Sequence, residues 1–484
     1  MVDEVVGDRL FEVVESEEVV PPRAPAGASK TFRSYDQGQV FLLPPSLDDW
    51  LPDGHTARFV SEVVDDMLDL SAVYAGYKNR TGAPPFDPRM MLKLVVYAYS
   101  SGVTSSREIG RRCQTDVAFR WLSANTAPDY RSVSRFRRRH LDALDDLFAQ
   151  VLVLCANAGL VKLGRVALDG TKLDASASRH TAMSYGRLVT RIPEVEAEVK
   201  RLLAEAEAID AAEDAEFGTD KRGDELPVEL ATREGRLVKM REAKAAIEAE
   251  AAERAAAAAA DKARHAGKTD DEVETAAAEA AESATPRDKA QRSFTDPDAR
   301  MMKTNRGFGY AYNAQAAADE FSQVILAGYV TQAPTDINQL LVMLDRINLA
   351  LAAAGLGSPK RTLADAGYCS TANIDQAVDS GHDALIATGR LKHHEKVPDA
   401  PRGRIPNNAT SRERMARRLR TKQGRADYAR RKAIIEPVFG QMKVKQNAGQ
   451  LRLRGLAGAQ GEFMLHAICH NLRKLANHTQ PATC

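Results

Sequence analysis

The sequence predicts an α/β fold: a mixed sheet with flanking helices, interrupted by an α-helical hairpin insertion and preceded by an all-α N-terminal domain. Three observations carry this. Two short runs, Val166-Ala167-Leu168-Asp169 and Arg361-Thr362-Leu363-Ala364-Asp365, read as buried strands that end in an acid. Between them lies a long stretch dominated by Ala and Glu with a helical repeat. Ahead of them, the apolar residues recur at helical spacing.

Residues 1–34 combine acids with the loop-like PPRAPAGAS and are expected to form a disordered tail. Residues 35–160 form the helical domain. Phe59, Val63, Val64 and Met67 share a face between His55 and Leu70, and Asp87-Pro88 is a cap followed by a favourable first helical residue. Short helices over Ser105–Cys113 and Asp116–Leu122 precede a longer one from Ser132 to Asn157. Its start reads RSVSRFRRRH, so the arrangement fits a DNA-binding helix-turn-helix, with a compact bundle as the alternative.

Residues 161–475 form the second domain, interrupted over 180–295. Val195, Val199, Leu202, Ala206 and Ile209 are spaced 4-3-4-3; the segment GTDKRGDELP breaks the helix, and Leu230, Leu237, Met240 and Ile247 continue it. A solvated spacer and a dimer-forming coiled coil both fit this hairpin. Strands follow over Gly309–Gln315 and Ser322–Thr331, paired as a hairpin. Asp336 is expected to cap a helix to Ala354, Thr371–Ser380 is a helix, and Asp383–Ala387 a strand. A basic loop runs to about residue 423, and a helix carries Glu436. This order is the connectivity of a ribonuclease H-like domain, in which the first and fourth strands are neighbours. Residues 476–484 are a tail.

Net charge is only +1, yet the charges are segregated. Arg402–Lys474 holds 18 Lys or Arg against four acids, a local balance of +14, and Arg135, Arg137, Arg138 and Arg139 form a second basic block. This is the electrostatic footprint of a nucleic-acid partner. No run of 18 apolar residues suggests a membrane span. The N-terminus lacks the order of a signal peptide. Five scattered cysteines without a CxxC pair indicate neither a disulfide framework nor a zinc knuckle, and fit a reducing cytoplasm.

Cleavage of a phosphodiester by two metals needs hard oxygen ligands brought together from separate elements. Asp169, Asp365 and Glu436 are the candidates: two at the ends of neighbouring strands, one on a helix 71 residues beyond Asp365. Any acid at a strand end is more often a cap or turn residue, so the surrounding sequence decides. ALDGTKLDASAS (167–178), MKTNRGFGYAYNAQAAAD (302–319), LADAGYCS (363–370), RRKAIIEPVFGQMK (430–443) and GEFMLHAICHNLRKL (461–475) resemble bacterial insertion-sequence transposases of the Asp-Asp-Glu (DDE) type, of the ribonuclease H-like superfamily. The resemblance extends through FLLPPSLDDWLPDGHTARFV and DPRMMLKLVVYAYSSGVTSSREI in the helical region.

The resemblance implies strand cleavage and transfer at terminal inverted repeats of double-stranded DNA and at target DNA. It also implies two Mg²⁺ per site (Mn²⁺ as substitute), a homodimer on paired ends, and a cytoplasmic, nucleoid-associated location. A catalytically silent DNA-binding protein on the same scaffold is the alternative. The superfamily carries a Tyr-x2-Arg-x3-Glu-x6-Lys signature. Here Glu436 and Lys443 keep their gap, and so do Tyr428 and Arg431, but four residues separate Arg431 from Glu436. Either Lys432 takes the basic role or Tyr428 lies one position out of register. With the arginine block, these residues are the expected DNA contacts. The place of the insertion leaves the treatment of the second DNA strand open. Asp174 is a reserve ligand or a strand-exit residue. His466 and His470, with Cys469 nearby, form a metal pair or pack a helix. His393-His394 is a solvated loop or a phosphate contact.

Overall fold

The computed structural model describes residues 46–77, 84–177, 182–217, 228–389, 399 and 402–479, without the side chains of 206–217 and 228–231. The expected tail at 1–34, residues 480–484 of the tail expected over 476–484, the GTDKRGDELP break and His393-His394 lie outside these residues, whereas 476–479 continue the last helix. Residues 46–52 belong to a separate unit from those that follow.

Among the described residues, seven α-helices precede the sheet. α1 (Thr56–Glu62) runs into a π-helical turn (Val63–Met67), followed by α2 (Ser71–Ala75) and α3 (Pro88–Ser100). α4 (Ser106–Thr115), α5 (Val117–Leu122), α6 (Tyr130–Arg139) and α7 (Leu141–Asn157) complete the set. Asp87, Asp116 and Asp129 each accept backbone N–H groups at a helix start, the groups that would otherwise be unpaired. The single helix expected over 132–157 is two. The chain leaves helical geometry at His140, whose ring packs on Tyr77 and Phe136.

β1 is longer than the apolar run suggested, spanning Arg165–Asp174, so Asp169 lies within the strand rather than at its end. β2 (Ala182–Ser184) pairs antiparallel with β3 (Gln291–Ser293) and forms the stem of the insertion. On this stem stand α8 (Tyr185–Phe217), α9 (Val228–His265) and a third helix, α10 (Asp270–Glu282). Leu188, Ile192, Val195 and Val199 of α8 pack against Leu237, Met240, Ala243 and Ile247 of α9. Over these residues the apolar seam is closed within the chain.

β4 (Arg300–Thr304), β5 (Gly307–Asp319) and β6 (Ile325–Thr331) follow, then α11 (Leu340–Ala353), β7 (Arg361–Ala364), α12 (Thr371–Asp379) and β8 (Ala384–Ile386). The sheet order is β4-β5-β1-β7-β8, with β6 also on β5. β1 runs antiparallel to β5 and parallel to β7, which runs parallel to β8. This is the mixed sheet with flanking helices. Three helices follow among the described residues: α13 (Ser411–Arg420), α14 (Lys422–Lys445) and α15 (Leu456–Thr479). The basic loop expected up to residue 423 therefore contains a helix. α15 is buried on nearly every side and packs on α3, α7 and β6, joining the helical region to the sheet. No helix among the described residues is long and apolar enough to cross a membrane.

Candidate active site

Val166, Ala167 and Leu168 of β1 are completely buried between β5 and β7. The pairing of β1 with β7 ends at Ala167 and Leu363, and the two acids come just after it. Asp365 starts a 3₁₀ turn, Ala366–Tyr368, and its Oδ1 accepts the Gly367 N–H at 2.7 Å. Asp169 Oδ1 accepts the Gly170 N–H at 2.9 Å. The point where the parallel pairing of β1 with β7 stops, midway along β1 and at the end of β7, thus brings the two carboxylates together. Burial pushes the Asp169 carboxyl above its ordinary range; the Arg431 charge pulls it down and the Asp365 charge raises it further.

α14 crosses this end of the sheet and is fixed at three levels. At its start, Asp427 is almost fully buried and accepts from Arg165 (2.8 Å), Arg361 and Gln423 (3.0 Å). Burial alone would raise this carboxyl, but the bonds from Arg165 and Gln423 and the charges of both arginines hold it below its ordinary value. One turn on, Arg431 is buried and donates to Asp169 Oδ2 at 3.0 Å. At the far end, Lys443 Nζ donates to Thr171 Oγ1 at 2.5 Å and lies 3.4 Å from the Lys172 carbonyl. Pro437 cannot donate to the carbonyl of Ala433, as a residue four positions on in a helix otherwise would. The Gln323 side chain supplies that bond instead, at 2.9 Å.

The residues expected at the site separate into groups. Tyr428 and Arg431 both lie against the two aspartates: burial raises the Tyr428 hydroxyl, with Arg431 opposing and the acids adding. Lys432 and Glu436 are exposed on the flank of α14. Of the two basic candidates it is Arg431 that meets Asp169. Glu436 makes no hydrogen bond or ion pair among the described residues. No group of three or more His, Cys, Asp or Glu among them converges on a common point. Asp174 lies 3.5 Å from Arg306. His466 and His470 are buried packing residues of α15, facing Gln446 and the Gln323 carbonyl.

The expectation for Arg137 is corrected. Arg135, Arg138 and Arg139 are exposed on α6, but Arg137 is buried and donates to Tyr99, Ser106 and the Thr104 carbonyl. Tyr99 in turn donates to Glu462 at 2.8 Å, and Glu462 accepts the N–H groups of Arg452 and Leu453 at 2.7 Å each. A guanidinium spent on this network is not available to a phosphate.

Asp336 is corrected as well. Its side chain caps nothing. It accepts from Asn313 at 2.7 Å and Gln315 at 2.8 Å, with Lys172 Nζ at 3.5 Å. The sequence signal was the alternation of NAQ on β5, which puts Asn313 and Gln315 on one face.

Two family models match the chain: a transposase domain (DUF772) over residues 45–139 and a transposase DDE domain over residues 283–472. The chain belongs to the DDE-type transposases of insertion sequences. Asp365 and Glu436 lie inside the second match; Asp169 and the insertion's helices α8, α9 and α10 lie between the two. Membership in this transposase family implies an enzyme that cleaves and transfers DNA, and the family generally uses a divalent metal. No curated protein and no solved structure matches the chain.

Proposed function

We propose that the chain binds the terminal inverted repeats of its element, and that Asp169, Asp365 and Glu436 hold the divalent metal with which it cleaves and transfers DNA strands. The observation that carries this reading is the emergence of Asp169 and Asp365 from neighbouring parallel strands, with α14 laid across them. The donor chemistry fits. A buried Asp169 carboxyl raised above its ordinary range by burial, with the neighbouring Asp365 charge adding to it, is a site a divalent cation relieves, and Glu436 is a third carboxylate left without an ion pair among the described residues. Mg²⁺, with Mn²⁺ as substitute and two ions per site, is the set suited to these oxygens. Bound there, the metal supplies a nucleophilic water and charge neutralisation at the phosphate.

The chain's own groups do the rest. Arg431 holds one oxygen of Asp169 and fixes the carboxylate's orientation. The Lys443 ammonium, anchored on Thr171 two residues beyond Asp169, is the cation offered to a DNA phosphate. The exposed Arg135, Arg138 and Arg139 of α6 and the Lys432 flank of α14 are the phosphate contacts, and the helical region 35–160 is the DNA-binding domain. Paired ends call for a homodimer.

The test is incubation of the full chain with DNA carrying the repeats that flank its gene, in Mg²⁺ or Mn²⁺. Asp169→Asn, Asp365→Asn and Glu436→Gln are each expected to lower nicking by at least about a thousandfold, while DNA binding persists. A variant that nicks near the parent rate removes that residue from the ligand set. A parent chain that binds the ends and nicks them with neither metal is the silent DNA-binding protein instead.

A further inference from the structure

Behind the two aspartates lies a polar network that the reaction does not by itself require. Asn313 and Gln315 are completely buried on one face of β5. Gln315 Nε2 donates to Asn313 Oδ1 at 3.0 Å, and the Tyr368 hydroxyl donates to Gln315 Oε1. Both amides also donate to the same oxygen of Asp336, at 2.7 and 2.8 Å, and Lys172 Nζ approaches it at 3.5 Å. Three donors thus converge on this one oxygen.

Two glycines make room for this carboxylate, and each follows one of the acids. A Cβ on Gly170 would stand 2.4 Å from Gln315 Nε2 and 2.7 Å from Asp336 Oδ1. A Cβ on Gly367 would stand 2.9 Å from Asp365 Oδ1 and 3.4 Å from Asp336 Oδ2. Asp336 therefore sits between the residues that follow Asp169 and Asp365. Lys172 lies within Coulombic reach of all three carboxylates, so it has a choice of partner.

We propose that Asp336 is a positioning residue: it holds the Lys172 ammonium away from Asp169 and Asp365 and so keeps that pair open to a divalent cation. The inference rests on the reading of Asp169 and Asp365 as metal ligands. Asp336 is rigidly placed by two buried amides, which fix the direction of its charge. Without that charge, Lys172 turns to the nearest remaining anions, which are the two aspartates, and occupies the ground a metal needs.

Mn²⁺ binding to the full chain without DNA, followed by loss of the free-ion electron paramagnetic resonance signal, reads this directly. Asp336→Asn is expected to weaken Mn²⁺ binding at least tenfold. Adding Lys172→Met to it is expected to restore binding to within threefold of the parent. Unchanged binding in Asp336→Asn overturns the proposal. So does a loss that Lys172→Met fails to restore, because Asp336 then acts as a ligand or as scaffold. Should Asp336→Asn not fold, Lys172→Met alone decides. Binding within threefold of the parent supports the proposal. A tenfold gain overturns it, since Lys172 then already neutralises the acids in the parent, and a tenfold loss overturns it as well. Asp365→Asn is the separate control. If it binds Mn²⁺ as the parent does, the metal reading fails, and this is seen without any change at Asp336.

Discussion

His466 and His470 meet Gln446 and Gln323 in a seam that water does not reach, and each imidazole is held neutral there. Burial pulls His466 down to about 3 and His470 down to about 4. Folded-state values below the unfolded one mean that the unfolded chain binds more protons as the solution is acidified. The stability these residues contribute is complete above about pH 6.5 and is lost as pH falls toward the folded values. Each imidazole is worth roughly 1.4 kcal/mol per pH unit across that range. Glu462 opposes them, since burial raises its carboxyl and protonation favours the fold. Urea unfolding at pH 7 and pH 5 should show a clear loss at the lower pH, and His466→Gln should flatten it. An equal slope in the variant would mean that other groups carry the acid sensitivity. Single residues were legible where a local rule governs them. Asp169 and Asp365 stand out because a buried apolar run gives way to an acid. The role of Asp336 is not legible because an aspartate ahead of a helix usually caps it, and here buried amides from β5 take its carboxylate instead of the helix end.

Elements with a strong apolar repeat are legible, though the repeat does not show the break at His140, and elements without one are not. α13 has a single fully buried apolar residue, Met415, among five arginines, so no periodicity announces it. β2 and β3 have three residues each and exist through their mutual pairing. That stem also determines where the insertion can be cut. Tyr185 N–H donates to the Ala290 carbonyl at 2.8 Å just beyond the ladder, so the two ends of the insertion are already adjacent. Replacing 186–289 with a two-residue Asn-Gly turn is expected to give a folded chain. Removing only 225–285 strips α9 from α8 and exposes Leu188, Ile192, Val195 and Val199, at about 1.5–3 kcal/mol for each side chain. That shorter cut should aggregate. Light scattering on the two purified chains checks the difference, and equal solubility would show that α8 and α9 do not depend on one another. Arg292 and Arg300 both lose Glu250 in the longer cut, so a modest fall in melting temperature is expected there too.

At the scale of the molecule, the +14 segment reads as one basic stripe in the sequence, but the fold divides it. Arg418 is spent on Asp383, Arg431 on Asp169 and Arg473 on the Ser100 carbonyl, while Arg430, Lys432, Arg452 and Arg454 remain exposed. With Arg135, Arg138 and Arg139, this leaves enough cation to neutralise about six phosphates. The logarithm of DNA affinity should then fall with log salt at a slope near −5, and Arg138→Ala with Arg139→Ala should reduce it by about 2. A flat response between dilute and physiological buffer would remove these residues from the interface. Charge counting could not foresee that Arg137 points inward, because its partner network ends 325 residues away at Glu462. That distance is also a delay. A ribosome adding about 5–20 residues per second needs roughly 15 to 65 seconds to travel from one to the other. For that interval the helices that carry Arg137 have left the ribosome but lack the carboxylate that completes their core. Until α15 is made, the first part of the chain to be synthesised is an unfinished one.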